Sequence, residues 1–445
     1  MIVFLADLAE QLDALAPQLT PDLLDQAGTC LLDALACAYG GQDLPWVKQA
    51  RVVAGAGDAG ECTIWASGGR KAGAADAAFA NAVGSHSVLH EDTHAESRVH
   101  PGTVVVPAAL AIGERTGSSM VDVLHSIVVG YEAIAQVAAT MMTDEFIARG
   151  WRASSVFGPF GAAAAAAHLL RLDRIDTVHS LGLAASFSAG ICQWAEDGST
   201  DVFFQNANAA RAGLVAALLA REGATGAASA VEGTYGLRQA FGGIRNDIDK
   251  PKIRLDRMAV SATFFKAYPS CALTQDAIDA ARQLAEHGVG SGAIVGGTIH
   301  TSGAAARYPG CDNATTLTAA ISRQMSLQFT VAAALTDGTV RPHRYSEPLD
   351  PGIAALAQRL RVVVDPVADL AFPDRRMARV ELRLAEGRVV SATSRPDTIL
   401  AGTAVAGKFH DYSAQALGAD VAAVVASVRN PDGCRDVGEF VSLLS

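Results

Sequence analysis

Leu5, Leu8, Leu12 and Leu15 recur at steps of three and four, the spacing of one helix face, and predict a first amphipathic helix. Thr20-Pro21-Asp22 supplies a cap, a proline for the first turn and an acid, and Gly40-Gly41 supplies a stop. Between them Leu24, Ala27, Leu31, Ala34, Leu35 and Ala38 form one apolar stripe. The stretches 69–85, 107–113, 121–141, 161–172, 177–189 and 209–221 follow the same rule with alanine-rich faces, which let helices approach closely. Apart from the brief Cys62-Thr63-Ile64-Trp65, strand-like alternation is missing from this half.

The pattern changes after Ser270. Residues 294–301, 360–364 and 380–384 alternate or run in β-branched residues, and 388–391 pairs with the last of these across Ala385-Glu386-Gly387 as a hairpin. Helical patterns at 274–286 and 315–335 lie between, and from Gly402 the chain reads as helix again. The expected fold is mainly α with an α+β insertion. A large all-helical domain takes residues 1–265 and 402–445, and a smaller α+β lid domain takes 266–401, its helices on a small antiparallel sheet.

Half of the 445 residues are hydrophobic and 18% are charged, enough apolar material for a large core. The net charge of -11 argues against a nucleic-acid partner, which would be met by clustered Lys and Arg. Seven scattered cysteines without a CxxC pair read as free thiols in a reducing compartment, so the expected location is cytoplasmic. The apolar start lacks the basic flank of a signal peptide. The alanine run 160–170 is shorter than the ~20 residues of a bilayer span, so no membrane segment is expected.

Titratable residues concentrate in Ala82–Pro107, which holds His86, His90, His94 and His100 of the eleven histidines, with Glu91, Asp92, Glu96 and Arg98. His90-Glu91-Asp92-Thr93-His94 is formally H-E-x-x-H, two zinc ligands and a base if helical. The run follows Gly84-Ser85, ends at His100-Pro101-Gly102 and offers no third ligand, so no metal is expected. Lys266 sits among Phe264, Phe265 and Tyr268, where desolvation would tune it as a base or leave it as a cation for a carboxylate. Arg152, in the turn Gly150-Trp151-Arg152-Ala153-Ser154-Ser155, suits two-pronged binding of a carboxylate.

The spacing of His86, Thr93 and His100-Pro101-Gly102, then Gly150-Trp151, then Lys266-x-Tyr268-Pro269-x-Cys271, resembles the MmgE/PrpD family. That family includes 2-methylcitrate dehydratase and cis-aconitate decarboxylase. The resemblance runs from Leu31 to Lys408-Phe409, and implies a helical domain with an inserted lid, a homodimer and no cofactor. The family pattern H-x-L-D-F-D-D-T reads here His86-Ser87-Val88-Leu89-His90-Glu91-Asp92-Thr93, so its first aspartate has become Leu89. The histidine after Gly-Trp is Arg152, a lysine position falls on Val202, and a tyrosine position on Phe329.

With groups for expelling water or carbon dioxide gone, the remaining set can remove and return a proton next to a carboxylate. The resemblance then implies a cofactor-independent epimerase of a polycarboxylate imino acid such as iminodisuccinate. Lys266, His100 and His90 are its expected catalytic residues, with Lys266 and His100 on opposite faces of the substrate. Arg152, Asp92, Thr93, His94, Arg98 and Tyr268 are its expected substrate contacts. The alternatives are a dehydratase or decarboxylase of a citrate-like acid, and an inactive polycarboxylate-binding protein on the same fold.

Overall fold

The computed structural model describes residues 3–55, 60–396 and 398–445. Met1 and Ile2 of the expected first helix lie outside them. The chain opens with α1 (Phe4–Asp13), α2 (Pro21–Gly40) and α3 (Pro45–Ala54). A two-strand ribbon follows, β1 (Cys62–Thr63) with β2 (Lys71–Ala72), then α4 (Ala74–His86) and the short β3 (Thr93–His94). The helical body is completed by α5 (Gly102–Thr116), α6 (Met120–Ala139), α7 (Asp144–Ala148), α8 (Ala153–Leu169), α9 (Arg174–Phe187), α10 (Trp194–Asp197) and α11 (Asp201–Arg221).

Small residues set the spacing inside this bundle. A Cβ on Gly130 of α6 would stand 2.8 Å from the carbonyl oxygen of Gly161 in α8, and one on Gly161 would meet the Gly130 carbonyl at the same distance. Backbone touches backbone there, and an alanine at either position would push the helices apart. Thr20 caps α2 by accepting from the Leu23 N–H, and Pro21 occupies its first turn. The α6 helix has the length and apolarity to cross a membrane, yet 72% of that window is buried among its neighbours. It serves as a core helix of this fold.

β4 (Thr263–Lys266) leads into the α+β part, which contains β5 (Ile294–Thr301), β6 (Leu360–Val364), β7 (Arg379–Leu384) and β8 (Val389–Thr393), and ends at β9 (Ile399–Leu400). The four-stranded sheet has the order β6-β5-β7-β8 and is mixed, correcting the antiparallel expectation. β5 and β6 run parallel, Ile299 opposite Val362, because the 58 residues from 302 to 359 between them supply a long helical crossover. The hairpin is as expected, with Leu382 opposite Val390. The single helix read at 315–335 is two, Ala320–Met325 and Leu327–Asp337. Ser326 between them is extended and its hydroxyl caps the second.

The helix Val405–Leu417 returns to pack on α2. We propose that the division between helical body and lid falls at the strands β4 and β9, which pair with each other, and β3 of the helical body extends that sheet.

Candidate active site

The loop from α4 to α5 carries the titratable cluster, and β3 fixes its position. Thr93 pairs with Phe264 across β3 and β4, which delivers Lys266, two residues further along, into the space beside Glu91. Leu89 has a positive φ of 53°, a left-handed conformation costing a side-chain-bearing residue about 1–2 kcal/mol. That turn aims the Leu89 carbonyl at Lys266 Nζ, which donates to it at 2.9 Å.

Three nitrogens converge on one oxygen. Glu91 Oε1 lies 3.1 Å from Lys266 Nζ, 3.0 Å from His86 Nδ1 and 3.6 Å from His100 Nδ1, and both Glu91 and Lys266 are fully buried. Burial alone would raise the Glu91 carboxyl, but Lys266, His86 and His100 outweigh it and hold the group well below the usual carboxylate range.

Hydrogen bonds settle both tautomers. A guanidinium only donates, so His86 Nε2 accepts from Arg152 Nη2 at 2.7 Å and His86 Nδ1–H donates to Glu91. His100 Nδ1–H donates to the Asp92 carbonyl at 2.9 Å, with Thr93 Oγ1 at 3.1 Å, which leaves Nε2 with a free lone pair. Burial, then the nearby Lys266, push His100 down to about 3, so its imidazole is neutral across the physiological range.

Arg152 stands at the start of α8, with Gly150 before it at a positive φ of 84° and Trp151 stacked on Phe241. Arg152 is 5% exposed, and its guanidinium bonds Asn206, Ser155 and His86. Among the described residues it makes no ion pair.

These groups face one cavity between the helical body and the α+β part. Lys266, His100, Arg152, Thr93 and Arg98 all line it, as do His86 and, from the α+β part, Tyr308 and Arg376. Four lining side chains are permanent cations or an ammonium, namely Arg98, Arg152, Lys266 and Arg376, and no carboxylate is among the lining residues. This is a cationic hollow inside an acidic protein.

Four expected site residues lie elsewhere. His90 points its ring to Tyr412, with Nδ1 2.9 Å from the hydroxyl, while its carbonyl accepts from Lys408. Asp92 sits behind the cavity, accepting from the Gly102 N–H at 3.0 Å and the Tyr131 hydroxyl at 2.6 Å, its carboxyl pushed up to about 7 by burial. His94 bonds Ser97 and borders a separate crevice with Glu132 and Arg257. The Tyr268 hydroxyl accepts from Arg282 within the α+β part. None of the four is among the residues that line the cavity, where the sequence reading expected His90, Asp92, His94 and Tyr268 to meet substrate.

The H-E-x-x-H run is loop and strand, and its imidazoles are committed to Tyr412 and Ser97. No group of three or more His, Cys, Asp or Glu among the described residues is placed to hold a metal. The sequence reading placed His86 and Glu91 in the titratable cluster but gave neither a role among the expected catalytic or substrate-binding residues. The cue was their spacing from His100 in a single loop. Arg376, in the charged run Asp374-Arg375-Arg376, carried no such cue.

Residues 5–247 match the MmgE/PrpD N-terminal domain and residues 268–429 the MmgE/PrpD C-terminal domain. A cis-aconitate decarboxylase-like protein, oryM, of Aspergillus oryzae is 32% identical over 240 residues, 52% of this chain and 49% of that protein. The cis-aconitate decarboxylase of Aspergillus terreus is 28% identical over 221 residues, 48% of this chain and 45% of that protein. That of Mus musculus is 25% identical over 335 residues, 72% of this chain and 67% of that protein. The chain spans about half the length of the two fungal relatives.

Proposed function

The chain belongs to the MmgE/PrpD family, and from that premise we propose that it is a lyase acting on a citrate-like tricarboxylic acid, with loss of carbon dioxide as the first candidate reaction. The observation that carries the reading is the buried, ion-pair-free guanidinium of Arg152 beside the Lys266–His100 pair. A buried charge without a counter-ion is costly, and a substrate carboxylate supplies one.

In this reading Arg152 grips one carboxylate and holds the adjoining carbon over His100 and Lys266. The bond to the departing carboxylate breaks, carbon dioxide leaves, and the electron pair stays as a carbanion conjugated with a neighbouring carboxylate. Lys266 uses two of its three N–H groups on Leu89 and Glu91, which leaves one to stabilise that charge or protonate the carbon. His100 Nε2 is the complementary base, needed where a proton must first be removed.

A second reading, the epimerase, draws support from Leu89 and Val202, apolar side chains that line the cavity where the family pattern carries an acid and a lysine. Epimerisation asks for groups on opposite faces of the carbon. Lys266 Nζ and His100 Nδ1 both lie within 3.6 Å of one Glu91 oxygen, a clustering that supports the lyase more than groups set on opposite faces would.

Incubation with cis-aconitate in heavy water, followed by mass spectrometry, separates these outcomes. The lyase reading expects a product lighter by carbon dioxide that carries solvent deuterium. Unchanged mass apart from deuterium exchange, on cis-aconitate or on iminodisuccinate stereoisomers, overturns it in favour of the epimerase. Binding without either change leaves the inactive polycarboxylate-binding alternative.

A further inference from the structure

The cavity has a second guanidinium without an ion pair among the described residues, contributed by the α+β part. Arg376 lies with its guanidinium carbon 3.8 Å from the centroid of the Phe264 ring. Its one hydrogen bond among the described residues is a long contact of 3.5 Å to the Ala272 carbonyl, and it makes no ion pair there. Burial lowers its proton affinity, and the charge of Asp276 opposes that without a direct pairing. A guanidinium held over a ring spends none of its N–H groups on that contact, which leaves them for both oxygens of a carboxylate.

Strand geometry sets the distance from the reacting end. Phe264 and Lys266 are two apart on β4 and both line the cavity, whereas Phe265 between them does not. Side chains two apart on a strand share a face and stand about 7 Å apart. Arg376, stacked on Phe264, is therefore offset from Lys266 by a step that a citrate-sized polyacid can bridge. Arg98 reaches the same cavity from the helical body. Its guanidinium carbon lies 5.8 Å from the Phe372 ring, and Nη2 contacts the exposed Asp144 at 3.0 Å.

We propose that Arg376 is the specificity residue for the substrate's distal carboxylate, held against Phe264 while Arg152 takes the carboxylate at the reacting end. The inference rests on the polycarboxylate reading above and deepens it. It makes the α+β part the judge of substrate length, and it predicts that an acid lacking the far carboxylate binds without engaging Arg376.

The test is calorimetric and needs no turnover. Propane-1,2,3-tricarboxylate and methylsuccinate differ by one terminal carboxylate. The wild-type protein should bind the triacid about ten-fold or more tightly than the diacid, the usual worth of a charged hydrogen bond. Arg376→Gln should bring the two acids to parity by weakening the triacid alone, and Arg152→Gln should weaken both. Arg376→Lys retains the charge over Phe264 and guards against a folding defect in the glutamine variant. It should keep part of the preference. A full wild-type preference in Arg376→Gln, or weakening of both acids to the same degree, overturns the assignment while leaving the polycarboxylate reading intact. A wild-type protein that binds neither acid overturns that reading itself.

Discussion

Two buried lysines stand on either side of the same loop. Lys266 comes from β4 and donates to the Leu89 carbonyl and Glu91, while Lys408 comes from the helix Val405–Leu417 and donates to the His90 carbonyl and to Asp33 at 2.7 Å. Both ion pairs are sequestered from solvent, but only Lys266 borders the cavity. Glu91 is surrounded by three nitrogens, whereas Asp33 has Lys408 as its one ion-pair partner among the described residues. Burial works against the Lys408 charge, yet Asp33 raises its proton affinity above that of a free lysine. Burial of a charge is therefore a poor sign of function by itself. What separates the two is whether a donor is left over and where it faces.

The comparison breaks first at Lys266. Replacing it with methionine should lower turnover by about a thousand-fold, within the usual range for a positioned acid or base. Steady-state rates on whichever acid turns over in the heavy-water experiment measure this, and a drop of less than ten-fold would remove Lys266 from the chemistry. Its thermal stability should fall less than that of the Lys408 variant, because Glu91 still accepts from His86 Nδ1–H.

Lys408→Met is the converse case. It strands the Asp33 carboxylate, and losing one member of a buried pair typically costs about 3–5 kcal/mol. Denaturant unfolding should show that loss, with much of it recovered in the Asp33→Asn, Lys408→Met double variant. A single variant as stable as wild type would mean that the rear pair is structurally idle.

Acid sharpens the contrast next. His100 is depressed to about 3, so a neutral base there persists as pH falls through the ordinary imidazole value of about 6.5. The acid limb of kcat/KM should accordingly lie below 6. The folded state binds fewer protons at His100 than the unfolded state between those two values. Its share of stability is thus fully present above about 6.5 and is lost as pH falls toward 3. A limb near 6.5 that disappears in His100→Gln would contradict the assigned neutral state.

The smallest effect belongs to Arg98. Its partner Asp144 is 83% exposed, so Asp144→Asn should change stability by less than about 1 kcal/mol. Thermal melts check this, and a larger loss would show the pair to be more than a surface contact.

How much of this was legible follows from which signals are local. Helix faces such as Leu5, Leu8 and Leu12, and strand runs such as Ile294–Thr301, are written in neighbouring residues and were read where they lie. The parallel pairing of β5 with β6 depends on contacts far apart in sequence, and periodicity does not report it. The loop containing the site was equally plain. Which histidine faces inward was not, because that rests on the left-handed turn at Leu89, a residue with no local preference for it. Glycine there would have announced the turn. Arg376 stayed hidden because a run of charges looks the same whether water or an aromatic ring receives it.

The small sheet β3-β4-β9 has a mechanical consequence. β4 is where the chain enters the α+β part, β9 is where it leaves, and Lys266 pairs with Ile399 between them. Arg376 rests on Phe264 of that same strand, so a shift of β4 would carry Lys266 and Arg376 together. One strand therefore bears both ends of the hollow, and the pleat fixes their separation in the way a ruler fixes the gap between two marks.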